Sequence, residues 1–167
     1  ANSSGAWSYT SAALNPGAHS LTAPPTDAAG NTSAASAALS LTIDTAAPAP
    51  VIVSYSTDTG TLGDGVTRDN TVTLSGTAEA GSTVRVYDGA TLLGSTTANS
   101  SGAWSYTSDE LSDGTHSLTA KAMDPAGNTS AASTVLSLKI DTTAVAPTIK
   151  SYSTDTGTPG DGITADT

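Results

Sequence analysis

Apolar and polar residues alternate along short stretches of this chain, and clusters of Gly, Asp, Asn and Ser separate the stretches. Alternation with a period of two residues is typical of β-strands, because successive side chains of a strand point to opposite faces. Between residues 48 and 145 the pattern predicts about seven strands and no helix. The predicted strands are residues 51–56, 71–77, 83–87, 91–97, 103–107, 116–123 and 135–140.

Two connections between these strands have their own signals. Residues 57–70 predict a long loop that is rich in Asp and Gly. Asp88-Gly89 is a typical sequence of the type I′ turn, which joins two antiparallel strands through a two-residue loop. We therefore expect a β-hairpin between the third and fourth predicted strands.

The chain repeats itself with a period of 97 residues. Residues 1–70 align on residues 98–167 without a gap, and about 50 of the 70 pairs are identical. A unit of about 100 residues has the size of an immunoglobulin-type sandwich. Residues 71–97 have no counterpart elsewhere in this sequence, so the two partial units are not expected to complete each other. The predicted domains are residues 1–47, the second half of a unit; residues 48–145, a complete unit; and residues 146–167, the start of another.

Composition and charge limit the partners of the chain. With five basic residues and a formal net charge of −10, it lacks the cations that would neutralise phosphates, and no nucleic-acid partner is expected. The absence of cysteine excludes disulfides and Cys-ligated zinc. No apolar run approaches the ~20 residues that span a bilayer, so no membrane insertion of this segment is expected. Of the 15 acidic residues 13 are Asp, which is typical both of turns and of cation sites.

Trp104 and Tyr106 lie two residues apart in a predicted strand, so their rings share one face. A Trp in a β domain can be a platform for a sugar. In a chain without Phe, a Trp at this spacing is more often the residue that fills the core between two sheets. We expect the core role.

His116 and His19 each end the same kind of segment, LSDGTH and LNPGAH. In both, a Leu is followed by two residues, a Gly, one further residue and the His. This spacing resembles the tyrosine corner of sandwich domains, in which a ring bonds to upstream backbone. Here His takes the position of the Tyr. A structural role is expected for both histidines.

No catalytic site is expected. The sequence has no nucleophile elbow, phosphate-binding loop or His/Glu zinc motif. Asp109, Glu110 and Asp113 share one predicted turn, where exposure to solvent explains them. The chain is therefore predicted not to be an enzyme.

Three segments resemble the bacterial Ig-like repeats of giant, type-I-secreted adhesins and biofilm-associated proteins. They are DTGTLGDGVTRDNTVTLSGTAEAGSTVRVYDG at residues 58–89, GTHSLTAKAMDPAGNTSAAS at residues 114–133 and IDTTAVAP at residues 140–147. The resemblance implies an all-β fold of tandem immunoglobulin-like (fibronectin-III-like) β-sandwich repeats. It also implies an extracellular location on the bacterial surface and an extender role that calcium stiffens near the domain junctions.

Strand direction predicts which acidic residues lie at each end of a unit. Asp141, after the last strand, is expected at the exit end with the loop that carries Asp58, Asp64 and Asp69. Asp124 and Glu79 are expected at the entry end, where Asp44 of the preceding unit should approach them. Calcium prefers such oxygen ligands, and the alternative interpretation is that these residues are turn aspartates that bond local backbone. The candidate metal ligands are Asp44, Glu79, Asp124, Asp58, Asp64, Asp69 and Asp141.

Three functions follow from these expectations. The favoured one is a structural extender of a cell-surface adhesin, for cell adhesion and biofilm formation, whose partners are calcium and the neighbouring repeats of the same chain. Host or surface ligands would then be bound by other regions. The alternatives are a ligand- or carbohydrate-binding module and the repeat unit of an extracellular filament or surface layer.

Overall fold

The computed structural model describes residues 4–150 and residue 160. These residues form ten strands and no helix, so the predicted all-β class is confirmed and none of them offers a helical membrane span. Residues 151–159 and 161–167, most of the predicted further repeat, lie outside the described residues. The strands are β1 Gly17–Leu21, β2 Leu39–Ile43, β3 Val51–Ser56, β4 Val66–Thr67, β5 Thr73–Thr77, β6 Thr83–Asp88, β7 Thr91–Thr97, β8 Ala103–Thr107, β9 Gly114–Met123 and β10 Leu136–Ile140.

The complete unit is a sandwich of two sheets. One sheet has the order β4-β10-β9-β6-β7 and the other the order β3-β5-β8. All pairs are antiparallel except β4, which runs parallel to β10 and pairs Val66 with Lys139. The loop after β3 therefore carries the chain from the smaller sheet to the edge of the larger one.

Two details of the sequence prediction differ from the structure. The predicted loop at residues 57–70 contains β4, which is two residues long and too short to show an alternation. The predicted type I′ turn at Asp88-Gly89 is wrong. The loop between β6 and β7 is Gly89-Ala90, and in the described residues φ is positive only at glycines, with +53° at Gly89. A positive φ at the first central residue alone matches type II′ rather than type I′.

The core lies between the two sheets and is built from the alternating apolar residues. Val84 and Val86 of β6 are fully buried, whereas Arg85 between them is exposed and Thr83 and Tyr87 beside them are half-buried. The other buried apolar side chains of this cluster are Val72, Leu74, Ala98, Trp104, Leu118, Ala120, Leu138 and Ile140.

Trp104 fills the centre of this thin core, as the sequence predicts, and 4% of it is exposed. Its ring lies against the backbone of β5 at Gly76, where an added Cβ would meet the ring at 2.5 Å and also the carbonyl oxygen of Val51. Tyr106 packs its ring in the same way against Gly94 of β7. The two glycines therefore make room for the two large rings.

The partial unit at the start of the chain repeats these sequences without the strands that would cover them. Its β1 and β2 form an antiparallel hairpin. Residues 6–10 have the same sequence, AWSYT, as β8, yet they form no strand, and 64% of Trp7 is exposed. Among the described residues, β5 and β6 of the complete unit have no counterparts beside this segment. The burial of Trp104 therefore depends on distant strands and not on its local sequence.

His116 ties the turn before β9 to the end of β6. Its Nε2 donates a hydrogen bond to the carbonyl oxygen of Ser112 at 2.9 Å, the contact expected of a corner residue. Its Nδ1 donates to Oδ2 of Asp88 at 2.7 Å. Since a carbonyl and a carboxylate both only accept, the imidazolium, with hydrogen on both ring nitrogens, is the form of the ring that satisfies both contacts. His19 makes the corresponding corner contact to the carbonyl of Asn15 at 2.8 Å.

The two partners shift each other's pKa in opposite directions. Burial acts to lower the pKa of His116, but the hydrogen bonds to Asp88 and Ser112 and the charge of Asp88 outweigh it and raise the pKa above 6.5. Burial acts to raise the pKa of Asp88, but the hydrogen bonds from His116 and Ser117 and the imidazolium charge outweigh it and lower the pKa below 3.8. The two residues therefore form an ion pair between β6 and β9 of the larger sheet.

The stability of the complete unit should depend on pH through this pair. The contribution of His116 is complete below its ordinary value of 6.5 and is lost as the pH rises through its folded pKa, whereas that of Asp88 is complete above 3.8 and is lost as the pH falls through its folded pKa. Urea melts should therefore give the highest free energy of unfolding between these two ordinary values. Asp88→Asn should lower it there by about 2 kcal/mol, because a charged group loses a charge-assisted hydrogen bond.

Asp109→Asn removes an exposed carboxylate of the same unit and is the control. It should leave the pH profile unchanged. The ion pair would be contradicted by a wild type whose free energy of unfolding does not fall on either side of the plateau. An Asp88→Asn variant that is as stable as the control would contradict it too.

Candidate metal centre at the junction of two units

Three of the seven predicted ligands lie together where the partial unit meets the complete one. One carboxylate oxygen each from Asp44, Glu79 and Asp124 lies within 4.8 Å of the other two. Asp44 is exposed, Glu79 is half-buried and Asp124 is buried. The cluster therefore joins one residue of the preceding unit to two residues of the next.

The ends of three strands position these side chains. Asp44 follows β2 directly, and Asp124 follows β9 directly. Glu79 lies in the turn from β5 to β6, where its carbonyl oxygen accepts hydrogen bonds from the backbone N–H and the hydroxyl of Ser82. Since β6 and β9 pair antiparallel with Thr83 opposite Met123, the start of one and the end of the other meet at one edge.

Asp124 is held by the turn in which it lies, the segment Asp-Pro-Ala-Gly-Asn. Its Oδ1 accepts the backbone N–H of Asn128 at 2.8 Å, and its Oδ2 accepts the side-chain amide of Asn128 at 2.8 Å. The amide of Asn128 is the largest influence on the pKa of Asp124; with backbone N–H groups of the turn it outweighs burial and holds the pKa below 3.8. Asp124 is therefore an oriented anion at neutral pH.

The same turn occurs in the partial unit, where Asp27 and Asn31 take the two positions. Oδ1 of Asp27 accepts the backbone N–H of Asn31 at 2.8 Å, and Oδ2 accepts its side-chain amide at 2.8 Å. The amide of Asn31 likewise lowers the pKa of Asp27. The five-residue turn thus forms the same internal hydrogen bonds in both units.

The chemistry of the three carboxylates fits calcium. Calcium takes about six to eight oxygen ligands, and each carboxylate offers one or two of them. Within the described part of the chain, the ion pairs are His116–Asp88 and Lys139–Asp141, so no basic side chain neutralises the cluster. A divalent cation would offset its charge, with water or backbone oxygens as the other ligands.

The other four predicted ligands do not form such a cluster among the described residues. Asp58 accepts the backbone N–H of Gly63, and Asp64 accepts that of Val66. These are bonds of turn aspartates. Their role as calcium ligands with a following unit stays a prediction.

Asp69 and Asp141 also have local partners. Asp69 accepts the backbone N–H of Thr57 at 3.0 Å, which is the largest influence lowering its pKa. Asp141 accepts the ammonium of Lys139 at 3.2 Å and donates its backbone N–H to the carbonyl of Thr67 at 2.9 Å. The parallel pairing of β4 and β10 therefore brings the backbone of Asp141 to that of Thr67.

Asn128 is part of the site, although the sequence prediction did not include it. Its side-chain amide donates to Oδ2 of Asp124 and to the carbonyl oxygen of Asp44 at 3.1 Å. The available signal was the repeat itself, because AGNTSAAS occurs at residues 29–36 and again at residues 126–133. That signal identifies a conserved turn within the chain but not a contact between units.

The comparison with protein-family models agrees with the fold. The sequence model of the family described as "Bacterial Ig-like domain" matches residues 1–45 and residues 46–142. No match was found among curated proteins. A solved structure titled "Biofilm associated protein - BSP domain" is similar at 22% identity with a TM-score of 0.41 over 76% of this chain. The match covers 20% of that protein chain, so the present chain spans about a fifth of its length.

Removal of one charge from the cluster should stabilise the metal-free protein. Two unit charges ~4 Å apart repel by ~1 kcal/mol in water. Glu79→Gln should therefore raise the free energy of unfolding in chelator by up to about 1 kcal/mol, and the gain should shrink in molar salt, which screens the charges. Glu110→Gln changes an exposed Glu elsewhere in the unit and should have no such effect. A Glu79→Gln variant that is less stable than wild type in chelator would contradict the proposed crowding of charge.

Proposed function

Because this chain belongs to the family of bacterial Ig-like domains, we propose that it is a stalk segment of a large bacterial surface adhesin. In this function each sandwich is a spacer, and calcium stiffens the junction between successive spacers. Near-identical repeats suit a spacer, since every unit has the same task and the total length follows from the number of units.

The observation that carries the proposal is the carboxylate cluster across the junction. Asp44 belongs to the preceding unit, whereas Glu79 and Asp124 belong to the next. A cation bound by all three would tie the end of one sandwich to the start of the other. Without a cation, each pair of charges at ~4 Å would repel by ~1 kcal/mol in water and by ~4 kcal/mol at an effective dielectric constant near 20. The same three residues would thus loosen the junction without calcium and tighten it with calcium.

The linker supports a junction of this kind. Residues 44–50 connect β2 to β3 and include Pro48 and Pro50. Proline fixes φ and so reduces the number of conformations of a linker. Such a short, restricted segment loses little entropy when an ion fixes its two ends.

The burial of the aromatic residues favours a spacer over a carbohydrate-binding module. A sugar platform needs an exposed aromatic face, and Trp104 is buried under β5 of its own unit. The exposed Trp7 lies in the partial unit, at a position that is buried in the complete one. The position of Trp104 therefore supports a core role for this ring in a complete unit.

Export to the bacterial surface also fits the composition. A chain without cysteine forms no disulfides during its passage through a secretion channel. Calcium is scarce inside cells and abundant outside, and a ligand that binds only the folded state stabilises that state by mass action. Folding of the stalk would then be completed after secretion.

Calcium binding should depend on the junction carboxylates. Isothermal titration of the wild type should give a saturable calcium site, and calcium should raise Tm. The Asp44→Asn/Glu79→Gln variant should weaken calcium binding at least about tenfold, because two of three charged ligands are lost. The Asp109→Asn/Glu110→Gln variant removes the same charge from an exposed turn and should bind calcium as the wild type does.

Two results would contradict the proposal. One is a wild type whose Tm is the same in calcium and in chelator. The other is an equal loss of calcium affinity in both double variants, which would indicate a general effect of net charge and not a site.

A further inference from the structure

The side chain of Asn128 bridges two units through its two amide hydrogens. One is donated to Oδ2 of Asp124 in its own turn at 2.8 Å, and the other to the carbonyl oxygen of Asp44, the first residue after β2, at 3.1 Å. Its backbone completes the turn, since the N–H donates to Oδ1 of Asp124 and the carbonyl accepts the N–H of Asp124 at 3.0 Å. Both hydrogens of the amide are thus in use, and one of the acceptors belongs to the preceding unit.

The partial unit contains the same turn and serves as an internal comparison. Asn31 makes the matching backbone and side-chain bonds to Asp27. Among the described residues, the additional bond to the end of a preceding unit occurs at Asn128. The turn can therefore be separated from the contact between units.

We propose that Asn128 is a metal-independent latch between successive units and a positioning residue of the candidate metal centre. By holding the carbonyl of Asp44, it keeps the end of β2 against the complete unit. By holding both oxygens of Asp124 with its amide and its backbone N–H, it turns that carboxylate toward Asp44 and Glu79. The latch does not depend on calcium, whereas the positioning role rests on the proposed function.

The chemistry of the amide explains why this position carries Asn. A group between a carboxylate and a carbonyl must donate to both, since both only accept. Asp at this position would have no hydrogen to donate and would add a fourth negative charge to the cluster. The linker of residues 44–50 keeps the two partners close, so one hydrogen bond is sufficient to change the balance between docked and undocked units.

The latch can be tested by the distance between spin labels on the two units. The chain has no cysteine, so Ser40→Cys in β2 and Ser95→Cys in β7, both at exposed positions, give two unique labels. The distance distribution of this parent is measured in chelator, where calcium cannot hold the two units together. Asn128→Ala should broaden it at least about twofold, because the docked state loses its bond to Asp44. Asn31→Ala removes the same side chain from the matching turn and should leave the width unchanged.

The positioning role has its own measurement. Asn128→Ala should raise the Kd for calcium by about tenfold but leave a saturable site, since the three carboxylates are still present. Asn31→Ala should leave the Kd unchanged. An Asn128→Ala protein with the parent's distance distribution in chelator and the parent's Kd overturns the inference.

A measurement on the wild type covers the case in which Asn128→Ala does not fold. By NMR, the side-chain amide hydrogens of Asn128 should exchange with solvent about tenfold more slowly than those of Asn31, because both hydrogens of the Asn128 amide are hydrogen-bonded. Equal exchange at the two residues overturns the latch.

The latch and the proposed function fail in different ways. If the wild type binds no calcium and Asn128→Ala broadens the distribution in chelator, the latch stands and the calcium-dependent function fails. If calcium binds the wild type and narrows its distance distribution further, but Asn128→Ala gives the parent's distribution in every condition, the function stands and the latch fails.

Discussion

Three like charges held close together at the junction of two units are the constraint on which this account depends. Asp44, Glu79 and Asp124 come from the ends of different strands, and no basic side chain of the described residues pairs with them. The pairing of β6 with β9 fixes Glu79 and Asp124, whereas the linker and the amide of Asn128 bring Asp44 to them. The junction is therefore a place where the fold concentrates negative charge that a cation would offset.

The sandwich makes this arrangement possible because it is completed by distant strands. The sequence AWSYT occurs twice, yet it forms a strand with a buried Trp104 in the complete unit and an irregular segment with an exposed Trp7 in the partial one. What differs is the presence of β5 and β6. The same strands carry Glu79 between them, so the residues that close the core also deliver a residue of the junction.

Much of the fold could be predicted from the sequence because its signals are local. Alternation located the strands to within about two residues, and the absence of Phe pointed to Trp104 as the core residue. Strand direction placed Glu79 and Asp124 at one end of the unit. β4, the turn at Gly89 and the contact of His116 with Asp88 could not be predicted, since a two-residue strand has no periodicity and Asp88 lies 28 residues from His116. The bond from Asn128 to Asp44 spans 84 residues and two units, and no local pattern encodes it.

The most direct test of the junction is the anomalous diffraction of crystals grown in calcium. The account predicts one calcium peak between the units, with oxygens of Asp44, Glu79 and Asp124 at about 2.3–2.6 Å from it. It would be contradicted by a structure in which these three side chains point apart into solvent and no ion lies between the two units.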